Sequence, residues 1–282
     1  MTTYIFPGQG SQVIGMGSDL FNEFDTYVQQ ANSILGYDIV ALCLNDENQL
    51  LNQTQYTQPA LFVVNALSYL KKLQENPNKP DFVAGHSLGE YNALHAAEVF
   101  DFATGLKLVQ KRGELMSTAQ GGGMAAILGL REEQIVSVLQ YNQLNTLSIA
   151  NYNSYTQLVI SGPAQDIMSA QKCFESAGAM AYIPLKVSGA FHSPYMNAAQ
   201  QVFSEFIKQF TFLPPCIQVI SNIHAKPTSV TEIPDCLENQ ITHSVNWSQS
   251  IQYLLDHGEA DFVEIGPRKI LTNLIQNIKK GM

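Results

Sequence analysis

Asp81-Phe82-Val83-Ala84-Gly85-His86-Ser87-Leu88-Gly89 changes character halfway along. Residues 81–84 form a short apolar run, as expected of a strand buried on both faces. Residues 88–97 carry a helical pattern, so strand turns to helix within a few residues. Glycine at both ends of the turn lets backbone approach backbone. The stretch matches G-x-S-x-G. Such a turn lifts the Ser87 hydroxyl out of the sheet and leaves the first free N–H groups of the helix beside it. Those donors and the helix dipole can hold an oxyanion. A tight turn with a capping serine is the plain alternative. The buried strand before it and the helix after it favour a nucleophile elbow.

Outward from the elbow, the same alternation continues. A strand candidate opens the chain before the loop Pro7-Gly8-Gln9-Gly10-Ser11-Gln12, where α/β proteins place ligand-binding loops. Helical patterning covers 19–35 and 59–73, and Asn76-Pro77-Asn78-Lys79-Pro80 breaks it. A different rhythm begins after Gly121-Gly122-Gly123. Strand-like 124–130, helical 132–139, strand-like 147–150 and 157–161, helical 163–177 and strand-like 181–187 give the order βαββαβ, a ferredoxin-like unit. Helix patterning resumes at 197–210, with strand candidates at 217–221 and 261–265. The expected fold is therefore α/β: a large domain of 1–123 and 191–282 carrying an inserted small domain of 124–190.

Composition narrows the function. The chain has 282 residues, 45% hydrophobic and 14% charged, which suits a globular protein and excludes wholesale disorder. Its 15 Lys and Arg against 24 Asp and Glu leave a net charge of -9. That acidity argues against nucleic acid or anionic lipid as partner. Cys43, Cys173, Cys216 and Cys236 are far apart, so neither a zinc site nor a disulfide framework is expected, and the thiols read as reduced. No apolar stretch reaches the roughly 18 residues of a membrane span. The opening MTTYIFPGQG lacks the basic-then-apolar pattern of a secretory leader, and a soluble cytoplasmic protein is expected. No G-x-x-x-x-G-K loop supports nucleotide hydrolysis.

A serine nucleophile needs a base. Of six histidines, His86 sits on the turn with its side chain expected to point elsewhere, and His95 lies on the following helix. His243 and His257 fall in polar loops. His192, between a strand and a helix, and His224, just past a strand end, both remain open on these grounds. Lys107, Lys111 and Arg112 read from spacing alone as the basic face of a helix.

Several motifs converge on one family. Phe6-Pro7-Gly8-Gln9-Gly10-Ser11-Gln12, Thr57-Gln58-Pro59-Ala60, Gly85-His86-Ser87-Leu88-Gly89-Glu90-Tyr91, Lys111-Arg112-Gly113, Ala190-Phe191-His192-Ser193 and Glu264-Ile265-Gly266-Pro267 occur in that order. Together they resemble the malonyl-CoA:acyl-carrier-protein acyltransferases over nearly the whole chain, especially the free-standing, trans-acting enzymes of polyketide synthases of the disorazole type. The resemblance implies a hydrolase-like α/β core with a ferredoxin-like insert. It implies Ser87 as nucleophile, His192 as base, the N–H groups of Gln9 and Leu88 as oxyanion hole, and Arg112 on the malonyl carboxylate. His86, Phe191 and Asn246 become substrate neighbours, Phe191 crowding the α-carbon against methylmalonyl. A main-chain carbonyl near residues 243–247 would orient the histidine. Gly189, where many polyketide malonyl transferases have His, implies a looser pocket wall.

The implied reaction moves a malonyl group from malonyl-CoA to the phosphopantetheine thiol of an acyl carrier protein, supplying extender units to a polyketide synthase. Malonyl-CoA is a substrate, no cofactor is bound permanently, and a monomer is implied. The malonyl transferase of fatty acid synthesis and a hydrolase that strips stalled acyl groups from carriers share the same serine and histidine. A non-catalytic docking module is the reading from a different class. Lys269, Lys279 and Lys280 are candidate contacts for an acidic carrier.

Overall fold

A computed structural model describes residues 1–281. Two four-stranded sheets organise it. The strands are β1 (Thr2–Phe6), β2 (Phe82–Gly85), β3 (Gly122–Leu128), β4 (Ser148–Ser154), β5 (Gln157–Pro163), β6 (Ala181–Pro184), β7 (Gln218–Ile220) and β8 (Asp261–Glu264). The first sheet has order β7-β2-β1-β8 and is parallel throughout. Its strands are short and apolar because helices cover both faces. Ile5 and Ala84 pack with Trp247, Ile251 and Leu274, while Phe6 and Val83 join the main core with Leu61, Leu94 and Leu106. Phe6 pairs with Gly85 and Ala84 with Ile220, so the loops after β1, β2 and β7 leave the sheet side by side at its carboxyl edge.

The second sheet is antiparallel, in the order β4-β5-β3-β6. The order βαββαβ is as expected, with helices Glu132–Tyr141 and Ala164–Ser176 between the strands. The two-residue alternation of β3 explains the packing. Ala125 and Ile127 face those helices with Ile135, Ile167 and Phe174, whereas Met124 and Ala126 face the main core with Val159 and Phe191. Val245 bridges to Asn151, and the Tyr152 N–H donates to the Val245 carbonyl at 2.9 Å, tying β4 to the rest of the molecule.

The starts of the first two long helices differ most from expectation. Helix starts only at Asp25, not 19, because the preceding apolar residues form successive turns, with Leu20 and Phe21 N–H groups on the Gly17 carbonyl. The next long helix runs Thr54–Glu75 and contains Pro59. Proline there removes one backbone donor. The helix is buried along most of its first half, so packing outweighs that loss. Of the cysteines, Cys43 and Cys236 are buried and Cys216 is exposed.

Candidate active site

The elbow is closed to side chains at both glycines. A Cβ on Gly85 would lie 1.9 Å from the Gly89 main-chain carbon, and one on Gly89 would lie 2.0 Å from the Phe6 carbonyl oxygen. Between them Ser87 adopts φ 52°, a left-handed conformation that costs a non-glycine residue about 1–2 kcal/mol. Asn222, just beyond β7, holds the strained turn. Its Oδ1 accepts the Ser87 N–H at 2.7 Å and its Nδ2 donates to the Gly85 carbonyl at 2.6 Å.

His192 is 5% exposed and also left-handed, at φ 57°. Strain at both positions marks them as residues that the surroundings over-determine. The His192 Nε2 lies 2.8 Å from Ser87 Oγ. Its Nδ1 lies 2.8 Å from the Gln240 carbonyl and 3.2 Å from the His243 carbonyl. Carbonyls only accept, so Nδ1 carries the proton and Nε2 presents its lone pair to the hydroxyl. The nearer carbonyl belongs to Gln240, before the segment where one was expected. Burial, and then the charge of Arg112, push the imidazole down to about 3, which keeps it neutral. His224, the other open candidate, is exposed on the loop after β7.

Arg112 is 1% exposed, so it does not share the solvated face that its basic neighbours suggest. One residue along a helix is a rotation of about 100°, which separates it from Lys111. Its Nη1 donates to Gln58 Oε1 at 2.8 Å; its Nη2 donates to Gln240 Oε1 at 2.9 Å and Ser87 Oγ at 3.1 Å. The Tyr91 ring lies beneath it, 5.6 Å from the guanidinium carbon. Its Nε is buried without a protein acceptor. A permanently charged fork held against a serine hydroxyl can bind a carboxylate and also favour an alkoxide.

The remaining expected residues divide. The loop of Gln9 lies beside the elbow, with its side chain on Thr54 Oγ1 at 3.2 Å, and neither its N–H nor that of Leu88 is taken up by a protein acceptor among the described residues. His86 points to Asn153 Oδ1 at 2.8 Å through Nε2, with the Trp247 ring 5.7 Å away, so it meets β4 rather than Ser87. Phe191 is 5% exposed. A Cβ on Gly189 would lie 2.6 Å from the Phe191 ring, so that ring fills the space and the wall is not loosened by glycine. Asn246 was expected to touch substrate, but its amide donates to the Ile223 carbonyl at 2.6 Å and its N–H to the Asn222 carbonyl at 2.9 Å. These bonds brace Asn222. Among the candidate docking lysines, Lys269 and Lys279 donate to the Glu264 and Ala260 carbonyls at 2.8 and 3.1 Å, and Lys280 is exposed.

Sequence reasoning missed Gln58, Glu90, Asn222 and Gln240. Gln58 and Glu90 stand inside quoted motifs but had no role. Asn222 carried a usable signal, its place after a strand at the carboxyl edge. Gln240 sits in an unremarkable polar run.

A family model described as acyl transferase domain matches residues 3–281. The polyketide biosynthesis malonyl CoA-acyl carrier protein transacylase PksC of Bacillus subtilis is 56% identical over 281 residues, covering 99% of this chain and 98% of that protein. The crystal structure of a malonyl CoA-acyl carrier protein transacylase from Burkholderia pseudomallei is 47% identical, with a TM-score of 0.97 over 100% of this chain and 99% of that one. A malonyl-transacylase solved in complex with a type II PKS acyl-carrier protein is 33% identical, with a TM-score of 0.94 over 99% of this chain and 93% of that one. The chain belongs to the acyl transferase domain family.

Proposed function

We propose that the protein transfers malonyl groups from malonyl-CoA to the phosphopantetheine thiol of a polyketide synthase carrier protein, acting in trans in the cytoplasm. The observation that carries this is a buried arginine fork on the same hydroxyl that meets a neutral imidazole. We take 124–190 as the small domain and 1–123 with 191–282 as the large one, with the site between them. His192 Nε2 takes the Ser87 proton, and Oγ bonds to the thioester carbonyl carbon. The carbonyl electrons move onto oxygen, which the N–H groups of Gln9 and Leu88 hold. As the carbonyl re-forms, the C–S bond breaks and the proton passes from His192 to the coenzyme A sulfur. The malonyl carboxylate takes the Arg112 fork, replacing Ser87 Oγ as partner of Nη2. The carrier thiol then gives its proton to His192 and attacks the malonyl-serine, and Ser87 leaves with that proton.

Intact-protein mass spectrometry after mixing with malonyl-, methylmalonyl- and acetyl-CoA tests this. The expected result is a malonyl adduct on Ser87 that holo carrier protein discharges. No adduct in wild type, or loss to water as fast as to carrier, would refute transfer.

A further inference from the structure

We propose that Glu90 is a positioning residue for Ser87, His192 and Arg112, its buried carboxylate dictating which way the Gln240 amide points. The proposal rests on the acyl-transfer reading. Glu90 lies in the first turn of the helix Gly89–Ala96 and is 1% exposed. Its Oε1 accepts the Asn222 N–H at 3.2 Å, and its Oε2 accepts from Gln240 Nε2. A glutamine can present oxygen or nitrogen to either neighbour, whereas arginine only donates and an ionised carboxylate only accepts. Between Arg112 and Glu90, therefore, Gln240 has a single satisfied orientation. Its Oε1 meets Arg112 Nη2 at 2.9 Å, and its Nε2 meets Glu90 and the Ser87 carbonyl, the latter at 3.0 Å. The main-chain carbonyl of the same residue takes His192 Nδ1 at 2.8 Å. Asn222, tied to Glu90 by its N–H, clamps the Ser87 turn. One carboxylate thus sets the alignment of nucleophile, base and cation.

The charges around Glu90 sharpen the test. Arg112, from the helix Phe102–Thr118, is its charged neighbour. Burial pushes up Tyr91 on its own helix and Cys236 on the helix Ile233–Asn239, so both are neutral near pH 7. His192, reached through Gln240, is neutral as well. Burial pushes Glu90 itself up to about 7. Below that pH one carboxyl oxygen carries a proton that faces its former donor, and Gln240 would lose its fixed orientation.

The test is Glu90→Gln in the full chain, read by acylation with malonyl-CoA across pH. The amide keeps the shape but turns one of the two acceptors into a donor, so either the Asn222 N–H or Gln240 Nε2 loses its acceptor and Gln240 is no longer held to one orientation. Expected are a fall in kcat of roughly tenfold to a hundredfold, a KM that is unchanged or lower, and loss of the wild-type acid limb near pH 7. The proposal is overturned if wild type forms malonyl-Ser87 while Glu90→Gln acylates at the same rate, or if the variant only raises KM and keeps the wild-type pH profile. Should Glu90→Gln fail to fold, Gln240→Met keeps the main-chain carbonyl and is read in the same way; a wild-type rate there overturns the proposal. Failure of wild type to form malonyl-Ser87 rejects the acyl-transfer reading itself, a separable outcome.

Discussion

In the proposed reaction Arg112 selects the kind of acyl group that the site takes. Its three side-chain bonds to Gln58, Gln240 and Ser87 satisfy part of the guanidinium, and Nε has no protein partner. A free carboxylate completes such a fork with charge-assisted bonds, and an acetyl group does not. Arg112→Ala should therefore cost malonyl-CoA about 3 kcal/mol of transition-state stabilisation, roughly a hundredfold in kcat/KM. Acetyl-CoA should lose far less. Paired measurements of kcat/KM for the two thioesters check this, and an equal loss for both would remove Arg112 from substrate recognition.

At the scale of elements, the site is a junction of strand ends. The turn after β2 bears Ser87, the loop after β1 lies against it, and the segment after β7 supplies Asn222. Helix packing brings the fork in. A Cβ on Gly113 would lie 3.1 Å from the Thr54 carbonyl, so the helices Thr54–Glu75 and Phe102–Thr118 cross closely where Gln58 meets Arg112. Asn222→Ala removes both bonds that clamp the elbow, leaving the Ser87 N–H and Gly85 carbonyl without those partners. Thermal or urea unfolding should show a loss of about 1–3 kcal/mol, with slower acylation because Ser87 can relax out of its left-handed conformation. Wild-type stability in this variant would mean the turn supports itself.

Over the whole molecule, burial sets the protonation of the site. With its imidazole pushed down to about 3, His192 stays neutral near pH 7 and adds no acid limb there. Glu90 behaves oppositely, since burial raises it from 4.5 to about 7. The folded chain binds that proton more tightly than the unfolded chain. Its contribution to stability is present in full below pH 4.5 and is lost as pH rises through about 7. The unfolding free energy of wild type relative to Glu90→Gln should fall by about 3 kcal/mol between pH 4.5 and 8. Denaturant titrations of both proteins at those two pH values measure it, and a pH-independent difference would show that Glu90 is not titrating in the fold.

Much of this was legible in the chain. Apolar periodicity marked the strands that build both sheets, and the glycines flanking His86-Ser87-Leu88 announced a turn too tight for side chains. Those are local properties, carried by neighbours in sequence. The Ser87 pairing is not local: His192 is 105 residues away, and physical grounds alone left His224 open beside it. Arg112 read as solvated beside Lys107 and Lys111, and only helix crossing turned it inward. Gln240, Asn222 and Glu90 are ordinary polar residues until the fold removes water from them. Sequence determined the elements and the chemistry that each turn could offer. Tertiary structure alone decided which polar groups meet, because a buried donor must find its acceptor wherever the packing places one.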